Sequence, residues 1–437
     1  MDNLVFFMNL KNFINKNILE VKKGGFTVIL KKIITLIKIL LLSPVYLCSI
    51  PILAVILLIS PWYLIRFGSL ESGRIGHFSA NTELYCCEIE SGINKPKQSY
   101  IDLFYYTDIS NEQLAKMWKR KLNVMPNWLL SPINNLNKFL VNSFSSFQKH
   151  NIGNNIFRDK DVNSLMDKFK VHLEFTTEEE VLGKKYLKKF GVSEKDKFVC
   201  LAVRDPSYLN TYHSYQNWDY HNYRDNNIDN YILAAEELAS RGYFVFRMGK
   251  TVSSPLISKN SKIIDYASSN LRNDFMDIYL GAKCTFCISA SSGFDGVTTT
   301  FRRPLVQIVV PLLDAKTEHK KVLILTKHHF SKKKKRNLTL SEIALSEIAS
   351  CTATKQFEAL GIELIENSPE EIKDIVVEAV KRVEGKWDNT EIDNKLQNKF
   401  WKIFYSSNYI NSQRFAHGKF KARFGTQFLK TNPNWLN

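Results

Sequence analysis

Between residues 197 and 310 short apolar runs alternate with segments whose apolar positions recur at helical spacing. "KFVCLAV" (Lys197 to Val203) predicts a buried strand, "IDNYILAAEELASRG" a helix closed by Gly242, and "YFVFRM" (Tyr243 to Met248) the next strand. A short strand at Lys262 to Asp265, a helix at Asp274 to Leu280, the strand Cys284 to Ser289, a helix after Gly293 and a strand Leu305 to Val310 follow. Buried strands alternating with helices predict a parallel, Rossmann-like sheet. Beyond it, Ser368 and Glu371 form a capping box with Pro369 at the first helical position and Gly385 past the end. Ile372, Ile375, Val376, Ala379, Val380 and Val383 supply that helix with one apolar face.

Upstream the pattern is mixed α and β. Apolar residues run to Phe67, "GSLESGRIGHFSANTEL" reads as a glycine-containing loop and a helix, Ile101 to Tyr106 as a strand, and 111–120 and 176–190 as helices. The Asn-rich stretch from about 125 to 165 is expected to be largely loop and short helix. Gly68, Gly73 and Arg74 resemble a phosphate-binding Walker A loop, but Arg74 and Ile75 stand where Lys and Ser or Thr are required. That excludes a nucleoside-triphosphatase loop.

The amino-terminal pattern differs again. Residues 39–65 carry no charge over 27 positions, long enough to cross a bilayer as helix, yet Pro44, Pro51 and Pro61 interrupt them. Lys31, Lys32 and Lys38 share one side of a preceding segment, with Ile29, Ile33, Ile34, Ile37 and Leu40 around the remainder. This pattern suits an anionic membrane surface, and a re-entrant or in-plane anchor keeps both ends on one side.

Net charge sharpens the choice of partner. The formal charge of +17 on 437 residues attracts polyanions, but zinc-finger spacing, RNP-type strands and basic-zipper heptads are missing, so nucleic acid is set aside. Seven cysteines without a regular framework suit a reducing compartment. Cys284 and Cys287 form a C-x-x-C inside an apolar run without a second pair, which argues against zinc.

Candidate chemistry gathers where the predicted parallel strands end. Arg204 and Asp205 follow the first strand, Arg247 and Gly249 the second, and Ser291, Ser292 and Gly293 the fourth. Ligands of open parallel sheets bind outside such ends, and this combination of guanidinium groups with a small-residue turn suits a diphosphate. The long polar and aromatic loop after Asp205 brings Tyr223 and Arg224, and its tyrosines could stack on a sugar or base. With no G-x-G-x-x-G after a strand, no dinucleotide cofactor is expected. Asp159 and Asp161, an isolated D-x-D, read as a solvated loop rather than a metal site.

Taken in order, "RIGHF", "VRDPSY", "YRDNNIDNY", "GYFVFRMG", "ISASSGF" and "NSPEEI", with "LTLSEI" and "FGTQFLKTNPNWL", resemble an uncharacterised family of bacterial glycosyltransferases from surface-polysaccharide gene clusters, over roughly residues 62–437. The resemblance implies a GT-B-like α/β fold with two Rossmann-like lobes facing a cleft. The division is then an anchor at 1–61, an acceptor lobe at 62–190, a donor lobe at 191–386 and a tail at 387–437 packing back on the first lobe. It also implies a nucleotide-diphosphate sugar donor, no bound metal or other cofactor, and transfer to a lipid-linked or glycolipid acceptor at the cytoplasmic face of the inner membrane. His77 is the candidate base, with Glu71, Glu83 and Asp205 as alternatives, while Arg204 and Arg247 would take up the leaving diphosphate. A membrane-attached protein that keeps the fold without catalysis, or another sugar-modifying transferase, remains open.

Overall fold

The computed structural model describes residues 28–30, 33, 44–153, 160–212, 217–290, 292–410, 412 and 415–437. The chain separates into two compact units, one made of residues 1–68, 98–105 and 125–152 and a larger one made of 69–97, 106–124 and 153–437.

The larger unit is built on a seven-stranded sheet in the order Arg423–Phe424, Val322–Leu325, Leu305–Ile308, Phe286–Ala290, Phe198–Val203, Phe244–Arg247, Ile263–Ile264. Every pairing in it is parallel. All residues of Phe198–Val203, Phe286–Ala290, Leu305–Ile308 and Val322–Leu325 are buried, as a sheet covered on both faces requires. The five predicted strands are present. Val322–Leu325 and Arg423–Phe424 extend the sheet beyond them, and a separate antiparallel trio, Arg336–Asn337, His328–Ser331 and Ile362–Ile365, accompanies it.

Starting from Phe198–Val203, the chain adds strands first on one side and then, from Phe286 onward, on the other. The direction of winding therefore reverses between Phe198–Val203 and Phe286–Ala290, whose last paired residues are Val203 and Ala290. The helix Pro369–Val383 has the expected reciprocal capping by Ser368 and Glu371. Ile372, Ile375, Val376, Ala379 and Val380 are buried, whereas Val383 at its last turn is exposed.

In residues 62–190 three strands occur among the described residues, Leu64–Leu70, Tyr100–Tyr106 and the two-residue Asn123–Val124. The smaller unit takes most of the first two, together with a helix over 44–59 and the helix Asn127–Val141. That second helix corrects the expectation of loop and short helix after residue 125. Its core face holds Leu130 and Ile133 with Leu53, Ile56, Phe67 and Tyr105. It also seats asparagines with fixed partners: Asn134 Nδ2 donates to Tyr105 OH at 3.1 Å and Asn137 Nδ2 to Asn151 Oδ1 at 2.9 Å. Among the described residues no helix is long and apolar enough to cross a membrane. Lys31, Lys32, Ile34, Ile37, Lys38 and Leu40 lie outside the described residues.

Candidate functional site

A cavity of about 870 Å³ lies in the larger unit at the carboxyl ends of the parallel strands. It opens where the winding reverses, with Val203, Arg204 and Asp205 on one side and Ser292, Gly293 and Phe294 on the other. Met248 and Gly249 after the second strand and Val309 after Leu305–Ile308 complete the rim. This is the place where an open α/β sheet leaves room for a ligand.

Backbone contact shapes one wall. A Cβ on Gly76 would lie 2.8 Å from the Gly293 carbonyl oxygen, and one on Gly296 2.6 Å from the Gly76 carbonyl oxygen. Only glycines allow the first turns of helices Ile75–Ser91 and Phe294–Thr300 to touch in this way. Ser79 Oγ donates to Thr300 Oγ1 at 2.8 Å one turn further on. Arg74, Ile75, Gly76 and His77 consequently line the same cavity as the Ser292–Gly293 corner. Ser291 lies outside the described residues, and Phe294 N donates to Ser292 Oγ at 3.3 Å.

The strand-end residues have different roles. Arg204 lines the cavity, and its Nε donates to Asp225 Oδ1 at 3.1 Å. Burial, reinforced by Arg224, pulls the Arg204 guanidinium down to about 10, and burial pushes Asp225 up to about 6 despite Arg204. Asp205 also lines the cavity, but both its oxygens are engaged: Oδ1 accepts from Ser207 N at 2.9 Å and Oδ2 from Ser253 N at 3.0 Å.

Arg247 does not line the cavity. Its side chain is 1% exposed, with Nη2 3.7 Å from Asp205 Oδ2 and Nη1 3.4 Å from Asp265 Oδ1. The reason is the sheet ladder: Arg247 is paired with Leu201, and the next amide, Met248 N, still donates to Leu201 O at 2.8 Å. Arg204, by contrast, follows the last paired residue of its strand. Arg247 therefore braces the loops that carry Asp205 instead of facing a ligand.

Tyr223 is likewise buried, 5.6 Å from the Phe357 ring, in a core with Val310, Leu338 and Ile343. Its neighbour Arg224 does line the cavity. The aromatic surface there includes Tyr208, Phe294 and Trp218, the last with the Arg74 guanidinium 5.6 Å from its ring centroid and His221 stacked at 5.9 Å.

His77 Nδ1 lies 3.7 Å from Oε2 of the exposed Glu71, which does not itself line the cavity. Glu83 is fully buried elsewhere, held by Arg302 Nη2 at 2.5 Å and His172 Nδ1 at 3.1 Å. The hydrogen bond that His172 makes to the Glu83 carboxylate is the main cause raising its imidazole above its ordinary value. Glu83, Cys87 and His172 are the one group among the described residues with metal-ligand spacing. Arg302 Nη2 already reaches both Glu83 Oε1 and Cys87 Sγ, the latter at 3.6 Å. Asp161 is not solvated either. It is buried and accepts from Leu165 N at 2.7 Å and Met166 N at 2.8 Å, a local cap, while Asp159 lies outside the described residues.

Six cations line the cavity: Arg74, Lys160, Arg204, Arg224, Lys250 and Lys316. Four carboxylates, Asp205, Asp277, Asp295 and Asp314, accompany them, and burial pushes Asp277 up to about 6 against the opposing Arg272. The sequence reading missed Arg74 by judging it only as a failed Walker A residue. Lys250 and Lys316 follow strand ends by three and eight residues, a signal that was available. Lys160 and Trp218 sit in segments without periodicity.

No protein-family model and no curated protein matches the chain. Among solved structures, the E. coli ADP-heptose LPS heptosyltransferase II is similar over 60% of this chain and 90% of that one, at 14% identity and a TM-score of 0.33. A glycosyl transferase family 9 protein from Veillonella parvula is similar over 61% and 86%, at 10% identity and 0.36. An E. coli heptosyltransferase with ADP-2-deoxy-2-fluoro heptose is similar over 60% and 93%, at 12% identity and 0.27.

Proposed function

We propose that the protein is a GT-B-like glycosyltransferase. It moves a sugar from a nucleotide-diphosphate donor to a lipid-linked or glycolipid acceptor of bacterial surface polysaccharide, while attached to the cytoplasmic face of the inner membrane. The observation that carries this reading is the cation-rich cavity at the point where the parallel sheet reverses its winding. A diphosphate fits that position because guanidinium and ammonium groups converge on a desolvated volume, where each charge-assisted contact is stronger than in water.

In the proposed reaction the acceptor hydroxyl oxygen bonds to the anomeric carbon as the bond from that carbon to the diphosphate oxygen breaks. The leaving diphosphate keeps the electron pair, stabilised by Arg204 and Arg224 without need of a metal. The hydroxyl proton passes to His77. Asp205 is the weaker candidate base because both its oxygens already accept backbone hydrogen bonds. Glu71, with Oε2 3.7 Å from His77 Nδ1, would orient the ring once it closes to hydrogen-bond distance, a positioning role. Trp218 offers a face for the base or sugar.

Calorimetric titration of the whole chain with UDP, GDP, ADP and CMP tests the reading. Saturable binding of one nucleotide, weakened in Arg204→Ala, supports it. No binding to any of them overturns it.

A further inference from the structure

We infer that residues 44–63 and 127–144 of the smaller unit form one bilayer-contacting face, with helix 44–59 lying in a single leaflet and helix Asn127–Val141 entering beside it. This rests on the membrane attachment proposed above and is independent of the sugar-transfer reading.

Helix 44–59 has one buried stripe. Ser49, Leu53 and Ile56, continued by Ser60, recur at helical spacing, and Leu53 and Ile56 pack on the core of Phe67, Tyr105, Leu130 and Ile133. The rest of its surface is apolar and outward. Leu47, Ile50, Val55 and Leu58 are 65%, 53%, 56% and 72% exposed, and the segment carries no charge. A helix facing water keeps a polar side, and this one has none. Nor does it suit a lone span, because one stripe of it is already occupied by protein.

The second helix extends the face. Trp128, Asn135 and Phe139 fall at i, i+7 and i+11, hence on one side, with Trp128 70% and Phe139 71% exposed. Asn135 Nδ2 donates to Tyr46 OH at 3.3 Å, so this side flanks the first helix. Trp62, 77% exposed, and Phe144, 56% exposed, continue the apolar surface.

Charge identifies the occupant. Arg66 and Asp102 form a buried pair with bonds of 2.7 and 2.5 Å. Every other Asp, Glu, Lys or Arg of this unit beyond Glu20 is lysine: Lys22, Lys23, Lys31, Lys32, Lys38, Lys138 and Lys149. An apolar face in a unit whose charges beyond Glu20, the Arg66–Asp102 pair apart, are all lysines, with tryptophans among its outward side chains, is complementary to anionic lipid headgroups.

The test uses the full chain with vesicles of phosphatidylcholine, with and without phosphatidylglycerol, carrying acyl-chain-brominated lipid. Trp62→Phe and Trp128→Phe identify the two fluorescence components by subtraction. Expected are flotation with the anionic vesicles, bromine quenching of both components, and a loss of partitioning of at least about tenfold in Trp128→Asp/Phe139→Asp. Melting and nucleotide titration of that double variant should be unchanged. Bound protein with unquenched Trp128 overturns the role of the second helix. Lysine labelling before residue 39 and after residue 66 on opposite sides of sealed vesicles overturns the single-leaflet placement. A dimer without vesicle binding, broken by Trp128→Asp, assigns the face to a second copy and overturns the proposal. Loss of nucleotide binding with vesicle binding intact counts only against the sugar-transfer reading.

Discussion

In the larger unit the apolar strands are covered on both faces, and several cations and carboxylates are gathered around one cavity. In the smaller unit helix 44–59 turns apolar side chains outward, and the charges beyond Glu20 are lysines apart from one buried pair. The first pattern concentrates electrostatic work at a point, while the second spreads adhesion over a surface. Because they use different physics, each should be breakable without the other.

The larger unit also contains its own contrast. Glu83 Oε1 draws His172 and Arg302 together in a cluster away from the cavity, whereas the cavity cations surround an open volume. A charged residue thus becomes a site residue through the void it faces, not through its charge alone. Arg204 and Arg247, both at strand ends in the sequence, fall on opposite sides of that line.

The largest expected effect comes from removing the brace. Arg247→Ala leaves Asp205 and Asp265 without their shared cation in a buried setting, which costs about 3–5 kcal/mol of stability. Chemical denaturation should show this loss with vesicle binding of the surviving folded protein unchanged. A melting midpoint equal to that of the parent would mean that Arg247 carries no brace.

Two leucines on one helix sharpen the other side of the comparison. Leu53 is 2% exposed in the core and Leu58 is 72% exposed. Leu53→Ala should cost about 2–5 kcal/mol and Leu58→Ala less than about 0.5 kcal/mol in vesicle-free buffer. Equal costs would show that the outward face is covered within the protein itself.

Arg204→Ala should weaken nucleotide binding about 100-fold, the range expected for a desolvated charge-assisted contact. It should leave flotation with anionic vesicles intact. Binding unchanged in calorimetry would move the diphosphate away from this strand end.

How much of this was legible follows the range of the interactions involved. Continuous apolar runs such as Phe198–Val203 declare themselves locally, and Arg204, Asp205, Ser292 and Gly293 could be placed because they follow strands. Arg423–Phe424 could not, since two residues carry no period and their partner strand lies about a hundred positions earlier. Helix Asn127–Val141 was hidden by Pro132 and by asparagines that looked like loop residues but hydrogen-bond to Tyr105 and Asn151. Arg247 was misjudged by a single residue of ladder, which no pattern of apolar positions reveals.

The smallest effect tests the rule that the larger unit compensates the charges it buries. Glu88 is 9% exposed, and burial pushes its carboxyl up to about 7, with only the Asn94 side chain opposing. A folded-state pKa above the unfolded value of about 4.3 means that the native protein binds this proton more tightly. Its contribution to stability is therefore complete below about pH 4 and is lost as the pH rises through about 7. The shift is worth roughly 3 kcal/mol at pH 8, and a buried amide in place of the carboxylate should recover roughly 2 kcal/mol of it. Glu88→Gln should accordingly raise the denaturation midpoint at pH 8, leave it nearly unchanged at pH 4, and flatten the decline between them. A midpoint at pH 8 equal to or below that of the parent would mean that a cation already neutralises Glu88.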